Sequence, residues 1–524
     1  MSQSRTRTLP TPPHRARSRR RALLPGGAAA LALIASLSPA PATAETANST
    51  TGADPAHPAH VSPAPAQTID NIGASGAWWV NDLAAFSPSA QNRAARLLFG
   101  RDGLALSAYR YNIGGGGTGV TTPERAPEDF LAADGGYDWS KDRGGRTFLR
   151  QAARHGVKDL IGFVNSAPAR WKTNGKSCGG YLESADERKF ARYLADVIDH
   201  FARKGMALDH LSPFNEPTNS FAECGQEGML VGVGQRDDIV RAVGAELAAR
   251  HSRVGITADE SSSTEDFVTQ VPQWLNTPGT ARYVDKLAHH TYNNPSDTGR
   301  ADVARTATSL GKTSWSSEIC CFGKGGTGWA QEYDPTIDNA LSMSRIIHKD
   351  FTVAHDSAFQ WWTALSNKMG ADPRTGADTK NDQGWNDGLI YYDPEYAANG
   401  NQRLYLTKRY YALGQYSKFV RPGAVLHEVT GAPGDVEVTA FRQGSRWVLV
   451  VNNHRGGTAG LKLDLGAGQR LSAVSAVRTS ATENWAAVGE PTVSGGTVSA
   501  SLPGRSLTTY VLDRRAATTD PNEG

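Results

Sequence analysis

The sequence has few cysteines, no long apolar run beyond its first 44 residues, and no excess of positive charge once those residues are set aside. Only 4 of the 524 residues are cysteine, which excludes a small fold held mainly by disulfides. Beyond residue 44 no apolar stretch reaches the roughly 18 residues that a membrane-spanning helix needs, so we expect no membrane partner. The composition, 39% hydrophobic and 20% charged, is that of an ordinary globular chain with one large and one small domain.

Residues 1–44 have the organisation of a signal peptide. Seven arginines precede an apolar run over residues 28–37, and the sequence ATA at residues 42–44 is typical of a cleavage site. The sequence SRRR at residues 18–21 resembles a twin-arginine signal, which would mean export after folding, whereas an ordinary secretory signal is the alternative. We therefore expect a secreted, extracellular protein.

The positive charge of the chain lies in this signal peptide. The chain has 55 Lys and Arg against 52 Asp and Glu, a formal charge of +3. Removing the seven arginines of residues 1–44, which contain no acidic residue, takes the formal charge from +3 to −4. A chain without a basic excess cannot neutralise many phosphates, so we expect no nucleic-acid partner.

The rest of the chain predicts an α/β fold: a (β/α)8 TIM barrel followed by an antiparallel β-sandwich. Residues 45–66, rich in Pro and Ala, predict a flexible leader. Over residues 67–414, short apolar runs alternate with amphipathic helical patterns, as in βα units. Residues 415–514 are short alternating runs separated by turn residues, typical of a sandwich, and residues 515–524 predict a frayed tail.

Eight apolar runs in the predicted barrel end in polar residues, which would lie on the face where such barrels have their active sites. The runs cover residues 71–76, 104–115, 159–168, 208–217, 253–261, 286–292, 313–319 and 357–365. A doubly wound open sheet is the alternative fold. It would need a phosphate-binding turn that opens a helix, and the four glycines at residues 114–117 do not lead into one.

Two glutamates end strands on opposite sides of the predicted barrel. Glu216, within Asn215-Glu216-Pro217, closes the fourth strand, and Glu318 ends the seventh. Hydrolysis of an acetal needs one carboxyl group to protonate the leaving oxygen and another to attack or to activate water. The two glutamates can therefore flank a sugar, although either could also be an ordinary polar residue of a loop.

Longer motifs accompany these glutamates. They are IDNIGASGAWW (69–79), RYNIGG (110–115), NSAPARWKTNG (165–175), FNEP (214–217), HTY (290–292), SSE (316–318) and RYYALGQYSKFVRPGA (409–424). The last one holds no catalytic group and would not arise by convergence. Together, over residues 68–512, they resemble glycoside hydrolase family 30, in the large clan of (β/α)8 retaining glycosidases.

The resemblance implies a role for each glutamate, Glu216 as the acid/base and Glu318 as the nucleophile. It also implies a subsite for the reacting sugar that is lined by Arg110, Asn215, His290 and Tyr292. A guanidinium and a tyrosine hydroxyl would keep a nucleophilic carboxylate ionised, and an asparagine can hydrogen-bond a sugar 2-hydroxyl. Taken singly, Arg110 could form only an internal ion pair, and His290 could be a structural histidine.

Aromatic residues at strand ends suit a carbohydrate cleft, because sugars present apolar C–H faces. We expect Trp78 and Trp171 in the cleft, whereas core packing is expected for Trp361 or Trp362. No metal is expected, because adjacent histidines in one strand, such as His289 and His290, point to opposite faces. Without a phosphate loop or a nucleophile elbow, no cofactor is expected either.

Three segments resemble most closely the endo-β-1,6-galactanase branch of the family, which cuts galactan side chains of arabinogalactan. They are GASGAWWVNDL (73–83), EICCFG (318–323) and DQGWNDGLIYYD (382–393). A β-1,6-glucanase or a xylanase of the same family is the alternative enzyme. A carbohydrate-binding protein is the non-enzyme alternative, although it would be expected to have lost one of the two carboxylates. We expect a monomer whose partner is a polysaccharide or oligosaccharide.

All four cysteines fall in loops on the predicted active face and should be oxidised in an exported protein. Because strands three and four are neighbours, Cys178–Cys224 is the pairing we predict, with Cys320 and Cys321 as an adjacent pair. Neighbouring Cα atoms lie about 3.8 Å apart, below the usual disulfide range of about 4.4–6.8 Å. Two bridges from Cys320 and Cys321 to the other two loops are therefore the alternative.

Overall fold

A closed barrel of eight parallel strands and a β-sandwich make up the computed structural model of this chain, which describes residues 58–514 except 276–277, 324–327, 329 and 467–468. The predicted signal peptide, the leader as far as residue 57, and the tail lie outside the described residues. The described strands, in chain order, are β1 Ala59–Thr68, β2 Asn71–Ser75, β3 Ala108–Asn112, β4 Asp159–Phe163, β5 His210–Ser212, β6 Gly255–Ser261, β7 Val284–His290, β8 Ser314–Glu318, β9 Ala358–Trp361, β10 Leu365–Ser366, β11 Ile390–Tyr392, β12 Leu404–Leu406, β13 Val425–Thr430, β14 Val436–Gln443, β15 Arg446–Asn453, β16 Ala459–Asp464, β17 Leu471–Thr479, β18 Ala486–Ala487, β19 Thr492–Ser494, β20 Thr497–Leu502 and β21 Ser506–Arg514.

The described α-helices lie mostly between the barrel strands. They are α1 Trp79–Leu83, α2 Pro88–Phe99, α3 Arg143–Arg154, α4 Glu187–Arg203, α5 Val233–Ala249, α6 Thr264–Leu275, α7 Pro278–Ala281, α8 Asp297–Ser309, α9 Ile337–Thr352, α10 Pro373–Gly376, α11 Tyr396–Asn399 and α12 Lys408–Ser417. Each helix in the part of the chain that the structure describes is too short or too polar to cross a membrane.

The barrel consists of β2 to β9 in sequence order, and β9 pairs with β2 to close it. Each of the eight predicted apolar runs overlaps one of these strands, so the predicted (β/α)8 barrel is confirmed. β3, β4 and β8 are buried along their whole length. This follows because interior side chains fill the barrel while the helices cover its outside.

The helices bury one apolar face against the barrel. In α4, Phe190, Leu194 and Phe201 recur at helical spacing and are all buried. The start of α2 is fixed by Ser87, whose side chain accepts a hydrogen bond from the backbone N–H of Ala90. Apolar periodicity and capping residues therefore set these helices, as the sequence pattern predicts.

The inside of the barrel has an apolar floor. Ala108, Ile161, Trp315 and Ala358, from four different strands, pack together there. Arg110 follows Ala108 by two residues along β3, on the side toward the strand ends. The site at the mouth therefore rests on a packed interior.

The C-terminal domain is one folded-over sheet with the strand order β18-β17-β21-β15-β14-β13-β1-β16-β20-β19. Leu449 of β15 and Leu461 of β16 belong to the same buried core although three strands lie between β15 and β16 in the sheet. Two layers of the sheet must therefore face each other, and the predicted antiparallel β-sandwich is confirmed. Within the described residues of this sheet, β1 and β16 are the exception, since they pair in parallel.

The strand β1 corrects the interpretation of residues 45–66 as a leader. It pairs with β13 and with β16 inside the sandwich sheet. Ala59 and Val61 are buried in the sandwich core. The Pro and Ala content that predicted a flexible segment was misleading because the partners of this strand lie more than 350 residues further along the chain.

The stretch over residues 409–424 joins the barrel to the sandwich without a flexible linker. Arg409 of α12 is fully buried and donates hydrogen bonds to Asn339 Oδ1 at 2.9 Å and to the Tyr391 hydroxyl at 2.9 Å. Ser344 of α9 donates to Asn452 Oδ1 of β15 at 2.8 Å. α9 and α12 therefore serve both domains.

Candidate active site

A cleft of about 470 Å³ opens at the C-terminal ends of the barrel strands. Its lining combines aromatic and polar side chains: Trp78, Asn165, Asn215, Glu216, Asn219, Phe221, Gln226, Ser262, Ser263, Tyr292, Asn293, Glu318 and Trp362. Both predicted catalytic glutamates are in this set. Flat apolar rings beside amide and hydroxyl groups are the surroundings that a sugar ring needs.

Glu318 is the last residue of β8 and is 4% exposed. One carboxylate oxygen accepts a hydrogen bond from Arg110 Nη1 at 2.8 Å, and the other accepts one from the Tyr292 hydroxyl at 2.9 Å. Burial and the charge of Glu318 raise the pKa of Tyr292 well above its usual value, so this hydroxyl stays a donor. Two donors from other strand ends thus fix the Glu318 carboxylate in one orientation.

Glu216 lies four residues beyond the end of β5 and has a positive φ of 44°. Its carboxyl oxygens contact Asn219 Nδ2 at 2.9 Å and His290 Nδ1 at 3.2 Å. One carboxyl oxygen each from Glu216 and Glu318 lie within 4.8 Å of each other. The two acids therefore face each other across a short gap.

The pKa of Glu318 is raised, first by burial and then by the neighbouring Glu216, whereas His290 and Arg110 oppose the rise. Arg110 and Tyr292 donate hydrogen bonds to Glu318, and these contacts favour its ionised form.

A third buried carboxylate, Glu260, lies behind this pair at the end of β6. Its Oε2 contacts His290 Nε2 at 3.1 Å, Arg110 Nη2 at 3.4 Å and the Ser317 hydroxyl at 2.5 Å. Burial alone would raise the pKa of Glu260, but Arg110 and His290 outweigh it and lower the pKa to about 2.

His290 lies among three carboxyl groups. Burial would lower its pKa, but Glu318, Glu216 and Glu260 raise it to about 10. The ring is therefore an imidazolium cation at neutral pH, and both of its nitrogens donate hydrogen bonds.

Glu216, His290 and Glu318 bring ligand-type atoms within 4.8 Å of one another. Arg110 and Tyr292 already donate hydrogen bonds to the two oxygens of Glu318. Carboxyl oxygens of Glu216 and Glu260 face the two nitrogens of His290. The contacts of the cluster are those of a hydrogen-bonded acid network.

Two amides in the cleft have buried polar atoms without a partner among the described residues. They are Asn215 Oδ1, an acceptor, and Asn165 Nδ2, a donor. Both side chains are less than 5% exposed. A buried polar group without a partner is costly, so these atoms are suited to hydrogen bonds with sugar hydroxyls.

The tryptophans divide between the cleft and the core. Trp78 and Trp362 line the cleft and contact each other edge to face, with ring centroids 4.8 Å apart. Trp361 is buried and donates to a backbone carbonyl. Trp171, predicted to lie in the cleft, instead packs edge to face against Tyr193 of α4, with centroids 5.8 Å apart. Its position in the loop after β4 turns the ring toward a helix, which sequence alone does not show.

The glycine-rich loop after β3 has a structural use. Gly115 and Gly117 donate backbone hydrogen bonds to the carboxyl group of Glu227, at 2.8 to 3.1 Å. Gly117 has a φ of 67°, which favours glycine. Burial raises the pKa of Glu227 to about 8. The loop thus wraps around one buried side chain from the loop after β5.

The cysteines form the two bridges that we predicted, Cys178–Cys224 and Cys320–Cys321. The first joins the loops after β4 and β5. The second lies directly beyond Glu318, and Cys320 Sγ is 3.9 Å from the Tyr292 hydroxyl.

Asn165, Asn219, Glu260 and Trp362 are among the residues of the site that sequence reasoning did not assign to it. Asn165 and Glu260 each lie near the C-terminal end of one of the eight apolar runs. This position could have indicated that they belong to the site. Asn219 lies in an irregular loop, where no periodic pattern indicates the direction of a side chain.

Two carboxyl groups that face each other at the mouth of a (β/α)8 barrel, beside an aromatic and amide-lined cleft, define a glycoside hydrolase. The model of O-glycosyl hydrolase family 30 matches residues 60–373, more than half of the chain. The protein belongs to this family, and the predicted resemblance is confirmed.

Curated relatives include enzymes that act on galactan. An endo-β-1,6-galactanase of Hypocrea rufa is 26% identical over 76% of this chain and 81% of its own. An exo-β-1,6-galactobiohydrolase of Bifidobacterium longum is 24% identical over 60% of this chain but only 26% of its own. Among solved structures, the catalytic domain of a family 30 xylanase C from Talaromyces cellulolyticus has a TM-score of 0.68 at 24% identity. That match covers 87% of this chain and 100% of the xylanase domain, and it shows the shared fold.

Proposed function

We propose that this protein is a secreted, retaining, endo-acting hydrolase of β-1,6-linked galactan, with Glu216 as the acid/base and Glu318 as the nucleophile. The observation that carries the mechanism is the approach of the two carboxyl groups, whose oxygens lie within 4.8 Å. Retaining enzymes have carboxyl groups about 5–5.5 Å apart, whereas inverting enzymes need about 6.5–9.5 Å to admit water.

In this mechanism Glu318 attacks the anomeric carbon while Glu216 protonates the glycosidic oxygen of the leaving sugar. Glu216, now ionised, then takes a proton from water, whose oxygen attacks the same carbon and releases Glu318. Two displacements retain the configuration. Arg110 and Tyr292 hold the Glu318 carboxylate, and Asn215 offers its unpartnered Oδ1 to a sugar hydroxyl.

Galactan as the substrate is supported by the endo-β-1,6-galactanase relative, which matches most of both chains. The described residues that line the cleft include no lysine or arginine, so the cleft suits a neutral polysaccharide better than one bearing acidic sugars. β-1,6-Glucan and xylan remain the alternative substrates within the family.

Product analysis on purified β-1,6-galactan, β-1,6-glucan and xylan tests the proposed substrate. We expect galacto-oligosaccharides of several lengths from galactan at early times, and little release from the other two. Release of a single short product from chain ends would contradict endo action, and preferred cleavage of glucan or xylan would contradict galactan.

Secretion is supported by the basic and apolar segments of residues 1–44 and by two disulfides, which persist in oxidising compartments. We propose a monomer that acts on polysaccharide or oligosaccharide without a metal, a cofactor, nucleic acid or a membrane partner. Size-exclusion chromatography with light scattering measures the oligomeric state.

The two glutamates should respond differently to removal. Glu318→Ala removes the group that forms the glycosyl-enzyme, so turnover should fall by several orders of magnitude on every substrate. Glu216→Ala keeps the nucleophile, so an aryl galactoside with an activated leaving group should still form the intermediate. Added azide should then restore turnover and give a β-galactosyl azide, measured by NMR.

The exposed loop acid Glu223 provides the control, since Glu223→Gln should leave both activities unchanged. Near-normal hydrolysis of polysaccharide by Glu216→Ala would show that the acid/base is another residue. A retained azide product from Glu318→Ala, together with an inverted azide product from Glu216→Ala, would exchange the two roles.

A further inference from the structure

One buried carboxylate contacts both cations of the site. Glu260 Oε2 accepts hydrogen bonds from Arg110 Nη2 at 3.4 Å and from His290 Nε2 at 3.1 Å. All three side chains are 1% exposed or less. Glu260 does not line the cleft, so its position favours a role that acts through these two neighbours.

Each of these cations reaches forward to one reacting carboxyl group. Arg110 Nη1 lies 2.8 Å from Glu318 Oε2, and His290 Nδ1 lies 3.2 Å from Glu216 Oε1. Two short chains of hydrogen bonds therefore start at Glu260. One runs through Arg110 to the proposed nucleophile, and the other runs through His290 to the proposed acid/base.

The charges explain why an anion is needed at this point. His290 is faced by Glu216 from the loop after β5, Glu260 from β6, Glu318 from β8 and Tyr292 beyond β7. Arg110 from β3 is the second cation that contacts Glu260. Buried like charges repel strongly unless an opposite charge lies between them.

We propose that Glu260 is a positioning residue for the reaction, whose carboxylate holds Arg110 against the nucleophile and His290 against the acid/base. This inference rests on the proposed roles of Glu318 and Glu216. The backbone carbonyl of Glu260 also accepts a hydrogen bond from the Glu216 N–H at 3.0 Å, a contact that side-chain substitution leaves in place.

Glu260→Gln tests the proposal, because it removes the charge and keeps the shape. We expect kcat on galactan and on an activated aryl galactoside to fall by about 100-fold or more, since a preorganised charge network is lost. KM should change by less than about threefold, because the cleft lining is intact. Glu223→Gln serves as the control and should match the wild type.

A spectroscopic measurement separates positioning from a merely structural loss. The His290 ring signals, identified in labelled protein by their absence from His290→Gln, report its protonation. In the wild type both ring N–H groups should persist to about pH 9, and in Glu260→Gln the pKa of His290 should fall by about 1–3.

Wild-type kcat in a folded Glu260→Gln variant would overturn the proposal. A fall in kcat with an unchanged pKa of His290 would also overturn it, since the loss would then not pass through this histidine. If Glu260→Gln does not fold, Ser317→Ala removes one donor to Glu260 without changing charge, and kcat should fall about tenfold. Unchanged kcat in that variant would count against the proposal.

The proposed function and the role of Glu260 fail separately. If Glu318→Ala remains active, the proposed function is wrong whatever Glu260→Gln does. If Glu318→Ala is inactive and Glu260→Gln has wild-type kcat, only the role of Glu260 is wrong.

Discussion

At the scale of residues, Glu216 and Glu318 differ in the groups that reach them. Glu318 is held by a guanidinium and a tyrosine hydroxyl, whereas Glu216 contacts an imidazolium and a loop amide. The guanidinium of Arg110 and the hydroxyl of Tyr292 keep their protons at neutral pH, so both continue to donate to Glu318 and favour its ionised form. Of the two contacts of Glu216, the one from the loop residue Asn219 is the more adaptable, which suits the acid/base role proposed for this carboxyl group.

Trp78 offers a test of the cleft at the same scale. Its ring lines the cleft, with Arg125 over it at 4.0 Å, and its buried Nε1 has no partner among the described residues. Trp78→Ala should lower kcat/KM on galactan by about 10- to 100-fold, because both the apolar face and the donor are lost. Trp78→Phe, which loses the donor but keeps a smaller aromatic face, should fall between this variant and the wild type.

Trp171→Ala is the matched control for this prediction. This ring packs against Tyr193 outside the cleft, so its removal should lower the melting temperature while leaving kcat/KM near the wild-type value. Equal losses of kcat/KM in the Trp78 and Trp171 variants would contradict the placement of Trp78 inside the cleft and Trp171 outside it.

At the scale of elements, hydrogen bonds between the loops after β3, β4 and β5 hold these loops in place beside the site. Glu227 from the loop after β5 holds the glycine-rich loop after β3. Lys172 from the loop after β4 donates to Ser166 Oγ at 2.9 Å and to a backbone carbonyl of the β5 loop. Three neighbouring loops therefore support one another, and those after β4 and β5 contribute residues to the cleft.

The bridge Cys178–Cys224 should contribute much more to stability than the bridge Cys320–Cys321. It joins residues 46 apart in sequence, whereas the other joins neighbours and closes no loop. In the chain-entropy account, a loop of this length is worth about 4 kcal/mol of unfolding free energy. Denaturant unfolding of the two double Cys→Ala variants measures the difference, and equal losses would show that loop closure is not the cause.

At the scale of the whole molecule, barrel and sandwich share a buried polar junction. Glu437 of β14 accepts a hydrogen bond from Arg345 of α9 at 3.0 Å and lies 2.8 Å from His454 Nε2. Burial would raise the pKa of Glu437, but His454 and the charge of His348 outweigh it and lower the pKa to about 2 from a usual value of 4.5.

A carboxyl group whose pKa falls on folding stabilises the folded chain above its unfolded pKa, and that stability is lost as the pH falls through the folded value. Glu437→Gln should therefore lower the unfolding free energy by about 3 kcal/mol at pH 7. The difference from wild type should shrink as the pH falls from about 4.5 toward 2. Urea unfolding across this range measures it, with the exposed Glu428→Gln as control. A difference that stayed constant with pH would contradict the assignment.

The secondary structure of the barrel was predicted from the sequence more fully than that of the sandwich. Barrel strands such as β4 are continuous apolar runs, and helices such as α4 repeat their apolar residues at helical spacing, so local pattern was sufficient. The strand β1 was missed, because it is half exposed and rich in proline and its partners are distant in sequence. Pairing of distant segments depends on contacts that no local window contains.

The sequence by itself determined the family, the eight-stranded barrel, the sandwich and the position of Glu318 at a strand end, because periodicity and motifs are properties of neighbouring residues. Glu216 was predicted to close its strand and instead lies four residues beyond it, in the loop. Only the tertiary structure decided that Glu260 stands behind Arg110 and His290, that Trp362 and Asn165 face the cleft, and that Trp171 does not. Strand ends far apart in sequence meet only when the barrel closes, and the direction of a loop side chain is set by the neighbours it packs against.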